Sequence, residues 1–127
     1  MSIAKINDLT AIAACATLED WGTVGLPLSD PPCALRGFKL TALRGHAVEA
    51  GVWECSPGRY RRQVARSETM HILSGSAVFT PDDGEALTLQ AGDVFFFDCQ
   101  TNGVWDVTTA LRKIYLLYDT PAVNSAS

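Results

Sequence analysis

The sequence has few residues that could hold a transition metal. It contains two histidines in 127 residues, and its four cysteines, Cys15, Cys33, Cys55 and Cys99, form no Cys-x-x-Cys pair. Zinc and the other divalent transition metals need three or four imidazole, carboxylate or thiolate groups that converge on one point. The sequence therefore predicts no metal and no cofactor, and it favours buried free thiols over a disulfide framework.

Positive charge and long apolar runs are also scarce. The net charge is -4 and the pI is near 5.0, which gives the chain no electrostatic reason to bind nucleic acid or an anionic membrane. No apolar run approaches the roughly 18 to 20 residues that span a bilayer, and the N-terminus lacks the basic and apolar segments of a signal peptide. We expect a cytoplasmic protein whose partners are small molecules and other protein chains.

The composition is that of one globular domain with a real core. Hydrophobic residues make up 47% of the chain and charged residues 19%, as in ordinary globular domains. Turn signals such as Pro81–Gly84 separate short β-like runs that recur about every 8 to 12 residues. This spacing is typical of an all-β sandwich or barrel. We therefore expect an all-β fold with about eight or nine strands.

The predicted strands follow one another with short connections. Ser74-Gly75 is interpreted as a turn, and Pro81–Gly84 as the turn of a hairpin. The strands are predicted at Phe38–Leu43, Val48–Cys55, Arg59–Ala65, Glu68–Leu73, Ala77–Thr80, Ala86–Leu89, Val94–Phe97, Val104–Val107 and Leu111–Tyr118.

The two ends of the chain differ from its middle. Apolar residues recur at intervals of three and four between Ile3 and Leu18, which predicts a short helix packed across the outside of the barrel. Glycines and prolines between Trp21 and Ala34 predict an extended, turn-rich segment without regular structure. The predicted organisation is a helix and extended lead-in over residues 1–37, the barrel over 38–118 and a flexible tail over 119–127.

Two stretches resemble the sequence motifs of the cupin family. Glu68 is followed by six residues and then Gly75, as in the second half of the first motif, and Gly92-Asp93 matches the opening of the second. The resemblance covers residues 38–118 and implies a cupin-type double-stranded β-helix, which is a jelly-roll barrel. Three further segments resemble the cupin subgroup allied to ureidoglycine aminohydrolase: Gly51–Arg59, Gly103–Val107 and Arg112–Tyr115.

The family's metal-ligand histidines are absent from both motifs. Gly103 stands where the second motif has its histidine, so Glu68 alone remains of the family's four ligands. Counting back from Glu68, the first motif's His-x-His pair falls in one of two registers: Arg62 and Val64, or Arg61 and Gln63.

Strand alternation assigns a direction to Glu68 and its neighbours. If Glu68 points into the barrel, as the family position implies, then Met70 and Ile72 do too, and His71 points outward. A buried carboxylate needs a partner. Glu68 is therefore either one half of a structural ion pair with an arginine or a catalytic base or ligand anchor.

The resemblance also implies candidates for ligand binding. Arg62 is the first choice for an inward arginine at the lost ligand position and Gln63 is the choice in the other register. An arginine there would favour an anion over a metal cation. Trp105 follows Gly103 on the inward face, while Lys113 and Tyr115 share a face of the last strand that the sequence does not identify.

Three functions stay open on this basis. The first is a metal-free cupin that binds a small anionic or zwitterionic metabolite, such as an amino or ureido compound. The second is an acid–base enzyme, either an isomerase or a hydrolase like ureidoglycine aminohydrolase. The third is a structural dimerisation domain. Apolar residues on both faces of Val94–Phe97, together with outward Leu73, predict a homodimer in each case.

Overall fold

The computed structural model describes residues 18–40 and 48–119, and within these ranges the chain is all β, with no helix. The predicted N-terminal helix lies outside the described residues except for Leu18, and the predicted tail does so except for Asp119. The strands are β1 (Glu19–Thr23), β2 (Ala34–Leu40), β3 (Val48–Cys55), β4 (Gly58–Arg61), β5 (Ser67–Pro81), β6 (Leu87–Gln90), β7 (Val94–Phe97) and β8 (Gly103–Tyr118).

Strands β5 and β8 form the spine of the fold. They pair antiparallel from Ser67 opposite Tyr118 to Pro81 opposite Gly103. At one end this pair continues through β8 into β3, β2 and β1 and through β5 into β7. At the other end it is flanked by β4 and β6. The result is two antiparallel sheets that share the two long strands and enclose one interior, which is the expected jelly-roll arrangement.

Each spine strand is continuous, so the predicted breaks at Ser74-Gly75 and after Val107 are wrong. The register of β5 against β8 shifts within Ile72–Ala77 instead. Gly75 has φ +85°, and a Cβ there would lie 2.0 Å from the carbonyl oxygen of Ala110. A glycine permits both this backbone conformation and this close approach. Such bulges bend a strand without ending it, and here they carry the spine from one sheet into the other.

The segment predicted to lack regular structure also contains a strand. Strand β1 pairs with β2 from Glu19 opposite Gly37 to Thr23 opposite Ala34, and β2 begins four residues before the predicted strand. The indole of Trp21 lies against Gly37, where a Cβ would come within 2.1 Å of the ring. Because Gly37 has no side chain, the Trp21 ring can pack against β2 and hold the edge strand there, although turn-forming residues lie nearby.

Other boundaries follow the turn signals closely. Strands β3 and β7 begin and end at the predicted residues, and β5 and β6 form the predicted hairpin, with Phe79 opposite Leu87. The strand predicted at Arg59–Ala65 is shorter, since β4 ends at Arg61. The described part of the chain contains no helix that is long and apolar enough to cross a membrane.

Inward-facing residues of both sheets make the core. Three aromatic rings lie at its centre, with centroids 4.8 Å apart for Phe79 and Phe97, 5.0 Å for Phe79 and Trp105, and 5.7 Å for Phe97 and Trp105. Such pairs add about 0.5–1.5 kcal/mol each beyond their buried area. Met70, Ile72, Leu89 and Leu111 surround them and are fully buried. This cluster fixes the side chains that border the adjoining cavity.

Candidate ligand-binding site

A cavity of about 220 Å³ opens beside the aromatic cluster. Its more exposed lining includes Trp21, Gly25 and Gln63, which we call the mouth. Its buried lining consists of polar and aromatic side chains from β4, β5 and β8 and the turn after β4: Tyr60, Arg62, Glu68, Trp105, Lys113 and Tyr115. The cavity therefore connects the surface near β1 with a buried group of charges.

Three charged side chains meet at the inner end of the cavity. Glu68 Oε1 lies 3.2 Å from Arg62 Nη2, and Glu68 Oε2 lies 2.6 Å from Lys113 Nζ. All three are buried: Glu68 is 3% exposed, Arg62 4% and Lys113 5%. We call them the charged triad. Two cations against one carboxylate give the triad one positive charge in excess.

Arg62 is held by several partners at once. Its Nη1 donates to the carbonyl oxygens of Thr101, at 2.9 Å, and of Val64, at 3.2 Å. Its guanidinium carbon lies 5.1 Å from the centroid of the Phe97 ring. The backbone N–H of Arg62 also donates to Gly103 O at 3.0 Å, directly after β4 ends. Backbone, carboxylate and ring contacts thus fix the guanidinium in one orientation.

Lys113 reaches the triad from the opposite strand of the spine. It lies opposite Ile72 in the pairing of β8 with β5, and its Nζ is 4.3 Å from the ring centroid of Trp53 and 5.5 Å from that of Trp105. The two rings favour the charged ammonium. An ammonium has three N–H donors, and Glu68 is its one hydrogen-bond acceptor within residues 18–40 and 48–119. Lys113 therefore has donors left for a molecule in the cavity.

The triad keeps Glu68 ionised. Burial by itself raises the pKa of this carboxyl group, but the charges and hydrogen bonds of Lys113 and then Arg62 outweigh burial and hold the pKa below its usual value. Each carboxylate oxygen is already paired with a cation. At neutral pH the group is consequently an anion that positions two cations.

Two tyrosines supply neutral hydrogen-bonding groups. Burial, followed by the hydrogen bond to Glu49, raises the pKa of Tyr115, whose hydroxyl donates to Glu49 Oε2 at 2.7 Å. Burial, followed by the nearby Cys55 and Glu68, raises the pKa of Tyr60 well above its usual value. The Tyr60 hydroxyl has no hydrogen-bond partner among the residues that the structure describes, so it remains available to a ligand.

The structure brings most of the candidate residues together. Arg62, Glu68, Trp105, Lys113 and Tyr115 are all buried and border the same cavity. The face shared by Lys113 and Tyr115 is thus the inner one. Their roles in binding, and that of Glu68 in catalysis, stay predictions.

Gln63 lies apart from this buried group, because it is exposed at the mouth of the cavity. A Cβ on Gly25 would come within 2.1 Å of Gln63 Oε1, so the amide packs on that bare glycine. Of the two residues that the sequence offers for the inward position, Arg62 is the buried one and Gln63 the exposed one.

The lining residues that sequence reasoning missed include Trp21, Glu49, Trp53 and Tyr60. Tyr60 was within reach of the alternation argument, since it stands two positions before the inward Arg62. Trp53 is opposite Lys113, and Glu49 lies four pairs further along the pairing of β3 with β8. These two depend on a pairing between distant strands that no local pattern indicates.

The charged triad does not fit a divalent transition metal. No three histidine, cysteine, aspartate or glutamate residues converge anywhere in the described ranges. Glu68, the family's remaining ligand position, already has a cation on each oxygen, and a metal ion would add like charge within a few ångströms of Lys113. His71 is on the outer face of β5, where it pairs with Val94 of β7.

The two sheets and the open interior with its inward charges define a cupin-type barrel. The chain belongs to the family of EutQ-like cupin domains, whose family model matches residues 43–115. No curated protein matches the chain.

Solved structures of similar fold come from several bacteria. A DUF861-family protein of unknown function from Pseudomonas syringae is 26% identical with a TM-score of 0.67, over 80% of this chain and 44% of its own. The EutQ protein of Clostridium difficile is 17% identical with a TM-score of 0.61, over 72% and 66%. A cupin superfamily protein from Desulfitobacterium hafniense is 14% identical with a TM-score of 0.54, over 66% and 78%. The chain thus spans less than half of the Pseudomonas protein.

Proposed function

We propose that this cupin binds a small anionic metabolite in the cavity of its barrel. The observation that supports this most directly is the excess positive charge of the buried triad, in a chain whose net charge is -4. A buried charge without a counter-ion is costly. A carboxylate or another oxyanion that entered the cavity would supply the missing negative charge.

We propose that Lys113 is the residue that binds the anion. The Arg62 guanidinium is held in place by hydrogen bonds to Glu68 and to two carbonyl oxygens, whereas the Lys113 ammonium is paired with Glu68 alone and can turn its other N–H donors to a ligand. Glu68 acts as a positioning residue, because it holds the ammonium in place. An amino or ureido group on the same ligand would find acceptors in Tyr60 and Glu49, which also line the cavity.

The alternatives have less support. An isomerase, or a hydrolase like ureidoglycine aminohydrolase, needs a group that accepts a proton near neutral pH. The lowered pKa of Glu68 and its two cationic partners speak against that role. A purely structural dimerisation domain gives no reason for a 220 Å³ cavity lined by charges and aromatic rings.

Ligand-induced thermal stabilisation tests the proposal. Small carboxylates should raise the melting temperature of the wild-type protein in a dose-dependent way, since a ligand that binds only the folded state stabilises it. The amides of the same acids should not. Lys113→Met should abolish the effect, whereas Arg59→Met, at an exposed position that does not line the cavity, should preserve it.

Loss of Lys113 could also weaken the fold, because Glu68 would lose one partner. The double variant Glu68→Gln/Lys113→Met removes both charges and separates the two effects. It should fold and still fail to respond to carboxylates. Equal stabilisation by acids and amides would overturn the proposal. An unchanged response in the folded double variant, which keeps the buried Arg62, would overturn the assignment of the anion to Lys113.

We also propose that the protein works without a resident transition metal. The charged triad leaves no carboxylate oxygen of Glu68 free for coordination. Elemental analysis of protein purified without an affinity tag or chelator should find well under one equivalent of iron, manganese, nickel or zinc per chain. A stoichiometric metal that survives dialysis would contradict this and direct attention to Glu68, His71 and Cys99.

The cytoplasm is the proposed location. Cys33, Cys55 and Cys99 are free thiols, and Cys33 and Cys55 are fully buried. Unbridged cysteines are usual where cellular thiols are kept reduced.

A further inference from the structure

The tryptophans and tyrosines of this chain are concentrated at the cavity. All three tryptophans of the sequence, Trp21, Trp53 and Trp105, line it, together with two of the three tyrosines, Tyr60 and Tyr115. They come from β1, β3, β4 and β8, so both sheets contribute. A core needs apolar volume, but it does not need every indole beside one solvent-connected space.

The inner rings are held by packing. The Trp105 and Phe97 planes are 7° apart with centroids at 5.7 Å, which covers one side of the indole. The ammonium of Lys113 lies near both Trp105 and Trp53. Fixed ring faces of this kind favour a planar aromatic ligand, which can stack on them, over a puckered ring of equal size. A rigid ligand also loses less conformational entropy on binding than a flexible one.

The size of the cavity limits the ligand further. An engineered cavity of about 150 Å³ in another protein holds benzene, so 220 Å³ accommodates one six-membered ring with a carboxylate and little more. Drug-sized ligands occupy pockets of about 300–1,000 Å³. A nucleotide or a dinucleotide cofactor is therefore too large to be enclosed by this cavity.

Charge then distinguishes between the ligands that an aromatic pocket can take. Aromatic cages commonly bind quaternary ammonium groups, but here Lys113 already places a cation beside Trp53 and Trp105. A second cation would be repelled. A carboxylate would instead pair with Lys113, and the hydroxyl of Tyr60 can donate to it or to a substituent on the ring.

On the basis of the anion site proposed above, we propose that the natural ligand is a monocyclic aromatic or heteroaromatic carboxylate. The acid group binds Lys113 and the ring fills the aromatic part of the cavity. The class excludes open-chain carboxylates as preferred ligands, whereas an amino or ureido substituent on the ring would still meet Tyr60 and Glu49.

A matched pair of probes tests the class. Benzoate and cyclohexanecarboxylate have the same charge and carbon number, but only benzoate is planar. Because all three tryptophans line the cavity, binding should change the intrinsic fluorescence, and calorimetry gives an independent Kd. We expect benzoate to bind about tenfold more tightly than cyclohexanecarboxylate, as two or so ring contacts would produce, and benzamide to bind far more weakly.

Variants separate this inference from the proposed function. Lys113→Met should weaken both acids, whereas Trp53→Leu should reduce the benzoate preference towards unity, and Arg59→Met, at an exposed position outside the lining, should change neither. Equal affinities for the two acids would overturn the aromatic class and leave the anion site intact. Failure of both acids, with other carboxylates still stabilising the fold, would also overturn it. If no carboxylate of any kind binds, both proposals fail.

Discussion

Each carboxylate oxygen of Glu68 is bound by a different cation, so removal of this side chain leaves two buried positive charges without their anion. Breaking a buried pair in this way costs about 3–5 kcal/mol. We expect Glu68→Ala to lower the free energy of unfolding by that amount in urea denaturation. Glu85→Ala, at an exposed position, should change it by less than about 0.5 kcal/mol. Equal stabilities of the two variants would show that the triad contributes nothing.

Glu68 also makes the stability of the folded protein depend on pH. The pKa of Glu68 is lowered in the folded protein from an ordinary value of 4.5, so the unfolded chain binds a proton at a higher pH than the folded one. The resulting stabilisation is present above pH 4.5 and is lost as pH falls through the lowered pKa. The unfolding free energy of the wild type should therefore fall more steeply below pH 4.5 than that of Glu68→Gln, and parallel curves would contradict this.

Residue positions were predictable where one strand's alternation sufficed. Glu68, Met70 and Ile72 lie on the inner face and His71 on the outer, as alternation predicts. Lys113 and Tyr115 could not be oriented, because both faces of β8 mix polar and apolar residues. The outer face of this stretch also carries apolar Ile114, so hydrophobicity does not mark the inside.

At the scale of the element, Gly37 permits the contact between β1 and the mouth of the cavity. A Cβ at this position would lie 2.1 Å from the Trp21 ring, so Gly37→Ala should push the indole away. We expect the free energy of unfolding to fall by about 1–3 kcal/mol and the tryptophan emission to shift to the red as Trp21 enters water. Gly84→Ala is the control, since its Cβ would meet only the Pro81 ring, at 3.2 Å. An unshifted spectrum for Gly37→Ala would show that the ring is not held there.

Short strands with clear turns on both sides were the easiest to predict. Strands β3 and β7 have such boundaries. Strands β5 and β8 were divided because Ser74-Gly75 looks like a turn, whereas the long-range pairing of the two strands absorbs it as a bulge. A local sequence pattern gives no information about pairing between distant strands. Strand β1 was not predicted for the same reason, since it depends on its pairing with β2.

At the scale of the whole molecule, one outer sheet face exposes large apolar side chains. Val94 is 65% exposed, Phe96 58% and Leu116 37%. Phe96 and Leu116 both pair with Thr69, one on each side of it, so they belong to one continuous row. An apolar face of this kind is usually covered by a partner, and we expect a homodimer in solution.

Light scattering at micromolar concentration checks the dimer. The wild type should have twice the chain mass of 13.7 kDa, and Phe96→Glu should shift it towards the monomer, while Asp83→Lys, in the exposed turn after β5, should not. A 13.7 kDa particle for the wild type would contradict the prediction.

The edge position of β1 has a consequence for the speed of ligand exchange. Among the strands of residues 18–40 and 48–119, β1 pairs with β2 alone, whereas Glu68 and Lys113 belong to the spine strands, which have neighbours on both sides. Local opening of an edge element costs much less than opening of the spine, which approaches global unfolding. Since β1 carries Trp21 at the mouth, its fraying would govern ligand residence time while the spine governs affinity. The two quantities would then respond to different substitutions, and amide exchange in β1 would parallel the dissociation rate.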